Sequence, residues 1–298
     1  MKIDFNYDSI NVQADLIDNI CVFCDKSGTG KTFLFSILEC YFEYEDIKYC
    51  SFNYLNYRAL ENYDFSGAEV VILDNADEVL IEAMQQTMKY LCENIQGCVL
   101  GYTQSDEITL ILIDYKKLTS AAWFDYEVQK MCSIAASMAT MAFNKYFLDN
   151  VLEKHKKVVE AGKNGSAEVD MYAKAMEKGA MFDARCFNIP KEEVCNLIYW
   201  RQLDAARNSI QMVGQANFSH KELQNKSCND IQDMLMTRKG INWNNFPTYQ
   251  KRGSCCIKED YADKENGSLR THWIIDKEIP MFKGEDRDYV DKLIYVGE

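Results

Sequence analysis

No apolar run in the chain approaches the ~20 residues that a membrane helix needs, so no spanning segment is expected. Nor is an export leader expected. Met1-Lys2-Ile3-Asp4 opens the sequence with early acids, and cytoplasm is the expected compartment. Positive charge is scarce: 33 Lys and Arg against 46 Asp and Glu leave a net charge of −13. That balance argues against non-specific nucleic-acid binding over the whole surface, because phosphate attraction needs local positive charge. Local basic groups remain at Lys154, Lys156 and Lys157, at Arg201 with Arg207, at Arg238 with Lys239, and at Lys251 with Arg252. No internal repeat and no low-complexity segment is present. The 12 cysteines form no disulfide framework and no zinc-ribbon spacing. Cys21 and Cys24 make one CxxC inside an apolar run, and the thiols read as reduced, mostly core residues.

What is there is enough to fold. Apolar residues make up 47% and aromatics 12% of the 298 residues, which suits one large domain or two small ones with a sizeable core. Asn19–Cys24 reads as a buried strand. It runs into Asp25-Lys26-Ser27-Gly28-Thr29-Gly30-Lys31-Thr32 and then an apolar helix, FLFSILECYF. SGTGKT between strand and helix is the P-loop pattern. Gly28 and Gly30 let backbone N–H groups approach phosphate oxygens without a Cβ in the way. The helix N-terminus favours the anion, Lys31 would contact β- and γ-phosphates, and Thr32 would bind Mg²⁺. An acid, Asp25, stands where the pattern has its first glycine. Only some 75 residues and three strands precede the next unit, short of a complete P-loop domain.

Residues 69–113 read as β–α–β–β. EVVILD ends a strand at Asp74. Apolar residues at Leu80, Ala83, Met84, Met88, Leu91 and Ile95 have helical spacing. CVLGYT and ITLILI then flank a polar turn, Gln104-Ser105-Asp106-Glu107, as in a hairpin. One carboxylate ending the first strand and others on the hairpin is how palm-type polymerases present two Mg²⁺ ions, which need bridging carboxylates. A long helix is expected over 126–160, a loop over 161–166, a helix over 168–178, and a strand in FDARCF. Further helices should run from Pro190 to about Gly214 and over 219–236, with β-structure and a final short helix in the tail.

GYTQSDEITLIL resembles the hairpin motif of the tRNA-His guanylyltransferase family. Four more blocks match in order: EVQKMCSIAAS (127–137), FDARCFNIP (182–190), WRQLDAARNSI (200–210) and GINWNNFPTYQKRG (240–253). The resemblance implies an α/β fold, with a palm-like catalytic domain of antiparallel sheet over 77–298. The P-loop segment, 1–76, precedes it. It implies a homotetrameric transferase that adds G to the 5′ end of tRNA-His. ATP adenylylates the tRNA 5′-phosphate, and the 3′-OH of GTP then displaces AMP. By motif, Asp106 is a Mg²⁺ ligand, Glu107 a ligand or its close neighbour, and Ser105 shapes the turn. Lys130, Arg185 and Asn208 would touch triphosphate or the tRNA 5′ end. Arg201 would reach phosphate or pair with an acid.

The front departs from the family. Members begin with a strand ending in Ile-Asp-Gly and then a triphosphate-gripping loop; here the P-loop segment stands in their place. Asp74 therefore has three readings: Walker-B acid of the P-loop, first metal ligand of the palm, or a strand-ending cap of the next helix. The alternative function is a P-loop NTPase whose rear serves as an RNA-binding module.

Overall fold

The computed structural model describes residues 2–7, 10–15, 38, 42, 47, 49–53, 70–74, 78–160, 172, 175–218, 220–262 and 268–296; strands β1–β4 are described by their backbone. The P-loop residues Gly28, Gly30, Lys31 and Thr32, the expected strand Asn19–Cys24 and the loop 161–166 lie outside the described residues.

The strands are β1 (Lys2–Tyr7), β2 (Ile10–Asp15), β3 (Tyr49–Asn53), β4 (Val70–Asp74), β5 (Cys98–Gln104), β6 (Glu107–Leu112), β7 (Ser254–Ala262) and β8 (Leu269–Asp276). The α-helices are α1 (Glu78–Asn94), α2 (Val128–Glu160), α3 (Lys191–Gln215), α4 (His220–Leu223), α5 (Cys228–Met234), α6 (Thr248–Arg252) and α7 (Asp288–Ile294). They fall into two compact units. One comprises Met1–Glu78, Val151–Ala180 and Gln211–Trp243; the other comprises Val79–Asn150, Met181–Ile210 and Asn244–Glu298.

In the first unit β1 pairs antiparallel with β2, a hairpin the sequence did not signal. Strand β4 pairs in parallel with β3, from Tyr49 opposite Val70 to Asn53 opposite Asp74. The unbroken apolar run VVILD suits a parallel strand. Leu38 and Phe42 are helical and buried, one turn apart, as the apolar run after the P-loop predicts. Ser227 and Asp230 form a reciprocal capping box at the start of α5. The helix then loosens into a π-turn, Leu235–Lys239, which stops at the left-handed Gly240.

The second unit is built on a four-stranded antiparallel sheet in the order β6-β5-β7-β8. Both edges of β5 are taken, by β6 and by β7, and β4 pairs with β3. Helices cover both faces of the sheet. On one face Leu100, Tyr102, Ile111 and Cys255 pack with Val194, Cys195 and Ile198 of α3 and Val290 and Ile294 of α7. On the other, Cys98, Cys256 and Trp273 pack with Met88 and Cys92 of α1, and Leu91 and Ile95 meet Ala139 of α2. The buried positions of α1, from Val79 through Ala83, Thr87, Met88 and Leu91, recur every three or four residues, as its sequence predicts.

FDARCF forms no strand. Residues 179–190 form neither helix nor strand, and the backbone N–H of Phe182 donates to Thr140 Oγ1 of α2 at 3.0 Å. Phe182 also packs on Phe143 of α2. The alternation is real, with Phe182, Ala184 and Cys186 the less exposed set, but their partner is a helix.

Gly253, at the junction of α6 and β7, has φ +83° and ψ −170°, a region open essentially to glycine alone. A Cβ there would lie 2.5 Å from the Thr103 carbonyl oxygen and 2.9 Å from the Tyr102 hydroxyl. Gly253→Ala is expected to destabilise this unit by more than about 1 kcal/mol. A lower urea midpoint at unchanged slope checks it; an unshifted midpoint contradicts the backbone constraint.

Candidate functional site

The hairpin turn is tighter than its polar run implies. Gln104 pairs with Glu107, so only Ser105 and Asp106 form the turn, and Ser105 takes the left-handed conformation at φ 54°. Thr103 Oγ1 donates to the Glu107 carbonyl at 2.8 Å and ties the two strands just below the turn. Glu107 thus belongs to strand β6 and obeys its two-residue period. It shares a face with Thr109 and Ile111, the face covered by α3.

Helix α3 begins after Pro190 with Glu192 and Glu193 in its first turn, where acids favour the helix dipole. Its stripe of Val194 and Ile198 is buried against the sheet. Three residues on, the same stripe turns charged at Arg201, and then Asp204. The rotation of the helix is held by Gln202, which is fully buried. Its amide donates to the Pro280 carbonyl at 2.8 Å and accepts from the Phe282 N–H at 3.0 Å.

These elements meet in a shallow depression lined by Tyr102, Gln104, Glu107, Thr109, Arg201 and Asp204. Arg201 donates to Glu107 Oε2 at 2.9 Å. Its Nε is buried and has no hydrogen-bond partner among the described residues. The Arg201 guanidinium also lies 5.7 Å from the Trp200 ring centroid. Asp204 is held by Arg207 at 2.5 Å and by the Asn208 amide at 3.3 Å. The Tyr102 hydroxyl donates to the Arg252 carbonyl at 2.8 Å. Burial raises the Tyr102 phenol above its ordinary range, with neighbouring Cys255 adding to the rise and the Arg201 charge opposing it. The phenol therefore stays a donor at neutral pH.

The sequence-marked residues divide. Glu107 and Arg201 come together directly, and Asn208 joins them through Asp204. Asp106 sits at the turn beside them and makes no hydrogen bond or ion pair among the described residues. Lys130, in the first turn of α2, places its Nζ 4.6 Å from the Phe124 ring centroid. Arg185 is 87% exposed and pairs with Asp183 at 3.4 Å. Neither lines the depression. Asp74 ends β4; its side chain lies outside the described residues. Sequence reasoning passed over Tyr102, Gln104, Thr109 and Asp204, which strand alternation and the i,i+3 step from Arg201 place on one face. It also passed over Phe124, Asp125 and Tyr126, three consecutive left-handed residues before α2 (φ 50°, 51° and 63°). Only Asp125 among them is of a type that favours that conformation.

A metal is tested by its donors. Asp106 and Glu107 offer hard carboxylate oxygens of the kind Mg²⁺ takes. Among the described residues no three His, Cys, Asp or Glu side chains stand together as a metal-holding group. The donors fit in kind, and a further carboxylate is needed to complete the set.

The Arg201–Glu107 pair is partly exposed, at 35% and 51% of the side chains. Such pairs contribute about 0–1 kcal/mol to stability. Arg201→Gln is therefore expected to shift the unfolding free energy by no more than about 1 kcal/mol. A thermal or urea melt checks it, and a much larger loss would make Arg201 a structural residue.

The family model described as "tRNAHis guanylyltransferase" matches residues 73–190. A bacterial tRNA-His guanylyltransferase-like protein solved in complex with ATP is 41% identical, over 74% of this chain and 81% of that one, with a TM-score of 0.60. A bacterial structure of the same description in complex with GTP is 38% identical over 74% and 79%, with a TM-score of 0.56. An uncharacterized protein of Acanthamoeba polyphaga mimivirus is 29% identical over 186 residues. That match spans 57% of this chain and 58% of the viral protein's length. The motif blocks, the hairpin they build and these likenesses agree: the chain belongs to the tRNA-His guanylyltransferase family.

Proposed function

We propose that this chain is a Mg²⁺-dependent tRNA nucleotidyltransferase that adds G to the 5′ end of tRNA-His. ATP adenylylates the tRNA 5′-phosphate, and the 3′-OH of GTP displaces AMP. The observation that carries the proposal is the hairpin turn Ser105-Asp106, with Glu107 beside it held by Arg201 at 2.9 Å. It occurs in a chain 41% identical to a protein solved with ATP.

Asp106 and Glu107 would hold Mg²⁺, and Asp74 is assigned to the metal by its place in the sequence pattern alone. Bound there, the metal would neutralise charge on the attacking and leaving oxygens of phosphoryl transfer. The chain's own residues orient the reactants. Arg201 holds the Glu107 carboxylate at 2.9 Å, and its guanidinium would bring positive charge towards a phosphate. Lys130 and Arg185 supply cations for triphosphate or the tRNA 5′ end. Asn208 orients Asp204 and so the wall facing the hairpin. Ser105 sets the turn. Gly28, Gly30, Lys31 and Thr32 are assigned to nucleotide phosphates by their spacing, with 1–76 as the P-loop segment and 77–298 as the palm-like catalytic region. A homotetramer in the cytoplasm belongs to the same reading. No helix is long and apolar enough to cross a membrane among the described residues.

Asp106→Ala is expected to lower transfer of label from α-phosphate-labelled ATP to 5′-monophosphorylated tRNA-His by about 100-fold or more. That is the scale of losing one preorganised electrostatic group. Thermal melting should be unchanged, because the turn is partly exposed. Undiminished transfer at saturating Mg²⁺ would place the chemistry elsewhere.

A further inference from the structure

Two thiols outside the depression stand in contact. Cys132, in the second turn of α2, donates to the sulfur of Cys186 at 3.7 Å. Cys186 belongs to the irregular segment 179–190 and also lies 3.9 Å from the Val128 carbonyl oxygen of α2. Both are half-buried, whereas Cys92, Cys98, Cys195, Cys255 and Cys256 are sealed in the core. The sealed group includes Cys92, Cys98 and Cys256 close together, but their exposures of 2%, 6% and 0% leave a dissolved oxidant no access. Cys132 and Cys186 combine sulfur contact with access.

We propose that Cys132 and Cys186 are an oxidation site: a peroxide converts them to an intramolecular disulfide that clips segment 179–190 onto α2. The sulfurs need to approach from 3.7 Å to about 2 Å. One thiolate attacks the peroxide oxygen, giving a sulfenic acid and releasing water after proton uptake. The second sulfur attacks the first and expels another water. Two thiols and one hydrogen peroxide become one disulfide and two waters, with two electrons passing from sulfur to peroxide. Burial, and then the hydrogen bond from Cys132, hold the Cys186 thiol above its usual range. A thiol reductant reverses the disulfide.

The placement has a consequence. Lys130 lies two residues before Cys132, and Arg185 immediately precedes Cys186. The bond would fix the spacing of these two cations on the same unit.

The chain's trypsin sites make the test direct. Cleavage after Lys130 and Lys145 releases residues 131–145 with Cys132 alone; cleavage after Arg185 and Lys191 releases residues 186–191 with Cys186 alone. The full-length native protein is treated with equimolar hydrogen peroxide. Free thiols are then alkylated, and the protein is denatured and digested without reductant. A linked 131–145/186–191 pair is expected as the main disulfide product, and reductant should release both peptides. In Cys132→Ser, whose melting temperature is checked against wild type, Cys186 should give no linked peptide. If 131–145 and 186–191 are recovered unlinked after oxidation, or Cys186 links equally to another cysteine in Cys132→Ser, the proposal is wrong.

Discussion

Strand β5 is the constraint on which the sheet unit depends. Both of its edges are hydrogen-bonded, to β6 and to β7, and both of its faces are covered by helices. Gly101 has no room for a side chain: a Cβ would stand 2.5 Å from the Cys92 sulfur and 2.8 Å from Met88 Cγ. Tyr102, two-sided in chemistry, fills the core with its ring and donates its hydroxyl to the Arg252 carbonyl. A one-residue slip of such a strand would turn every side chain to the wrong face. The register of β5 therefore decides that the turn is Ser105-Asp106, and that Glu107 faces α3.

The site follows from that register and from the rotation of one helix. Gln202 joins the backbone at Pro280 and Phe282 from inside the core, so its neighbour Arg201 arrives at the sheet end at a set angle. The ion pair with Glu107 is worth at most about 1 kcal/mol to folding, because both side chains are partly in water. Stability alone does not account for an arginine at this place. The 2.9 Å contact instead fixes where the Glu107 carboxylate sits.

Much of this unit could be read from the sequence. The helical stripe of α1, the hairpin, the Ala-, Ser- and Met-rich helix α2, the proline-started α3 and the β-rich tail all have local signals, and all are present. The pairing of β4 was not legible, because an apolar strand carries no label for its neighbour. FDARCF shows a second limit: period-two burial reports a chain lying on something, not a strand in a sheet, and here that is α2. At the site, motif matching marked Asp106, Glu107 and Arg201, but not that the last two meet 94 residues apart in sequence. Tyr102, Thr109 and Asp204 were accessible in principle by counting along strand and helix once the turn was placed at two residues. The left-handed run at Phe124–Tyr126 had almost no signal, since Phe and Tyr rarely adopt it.

The central claim is that Glu107 and Arg201 act as one catalytic unit at the hairpin turn. A double-mutant cycle in the rate of transfer from labelled ATP to 5′-monophosphorylated tRNA-His tests it most directly, using Glu107→Gln, Arg201→Gln and the pair together. If the unit is real, the double variant loses little more than the worse single variant, because the second change removes a partner already lost. Losses that simply multiply would show the two residues acting independently, and the account of the site would be wrong.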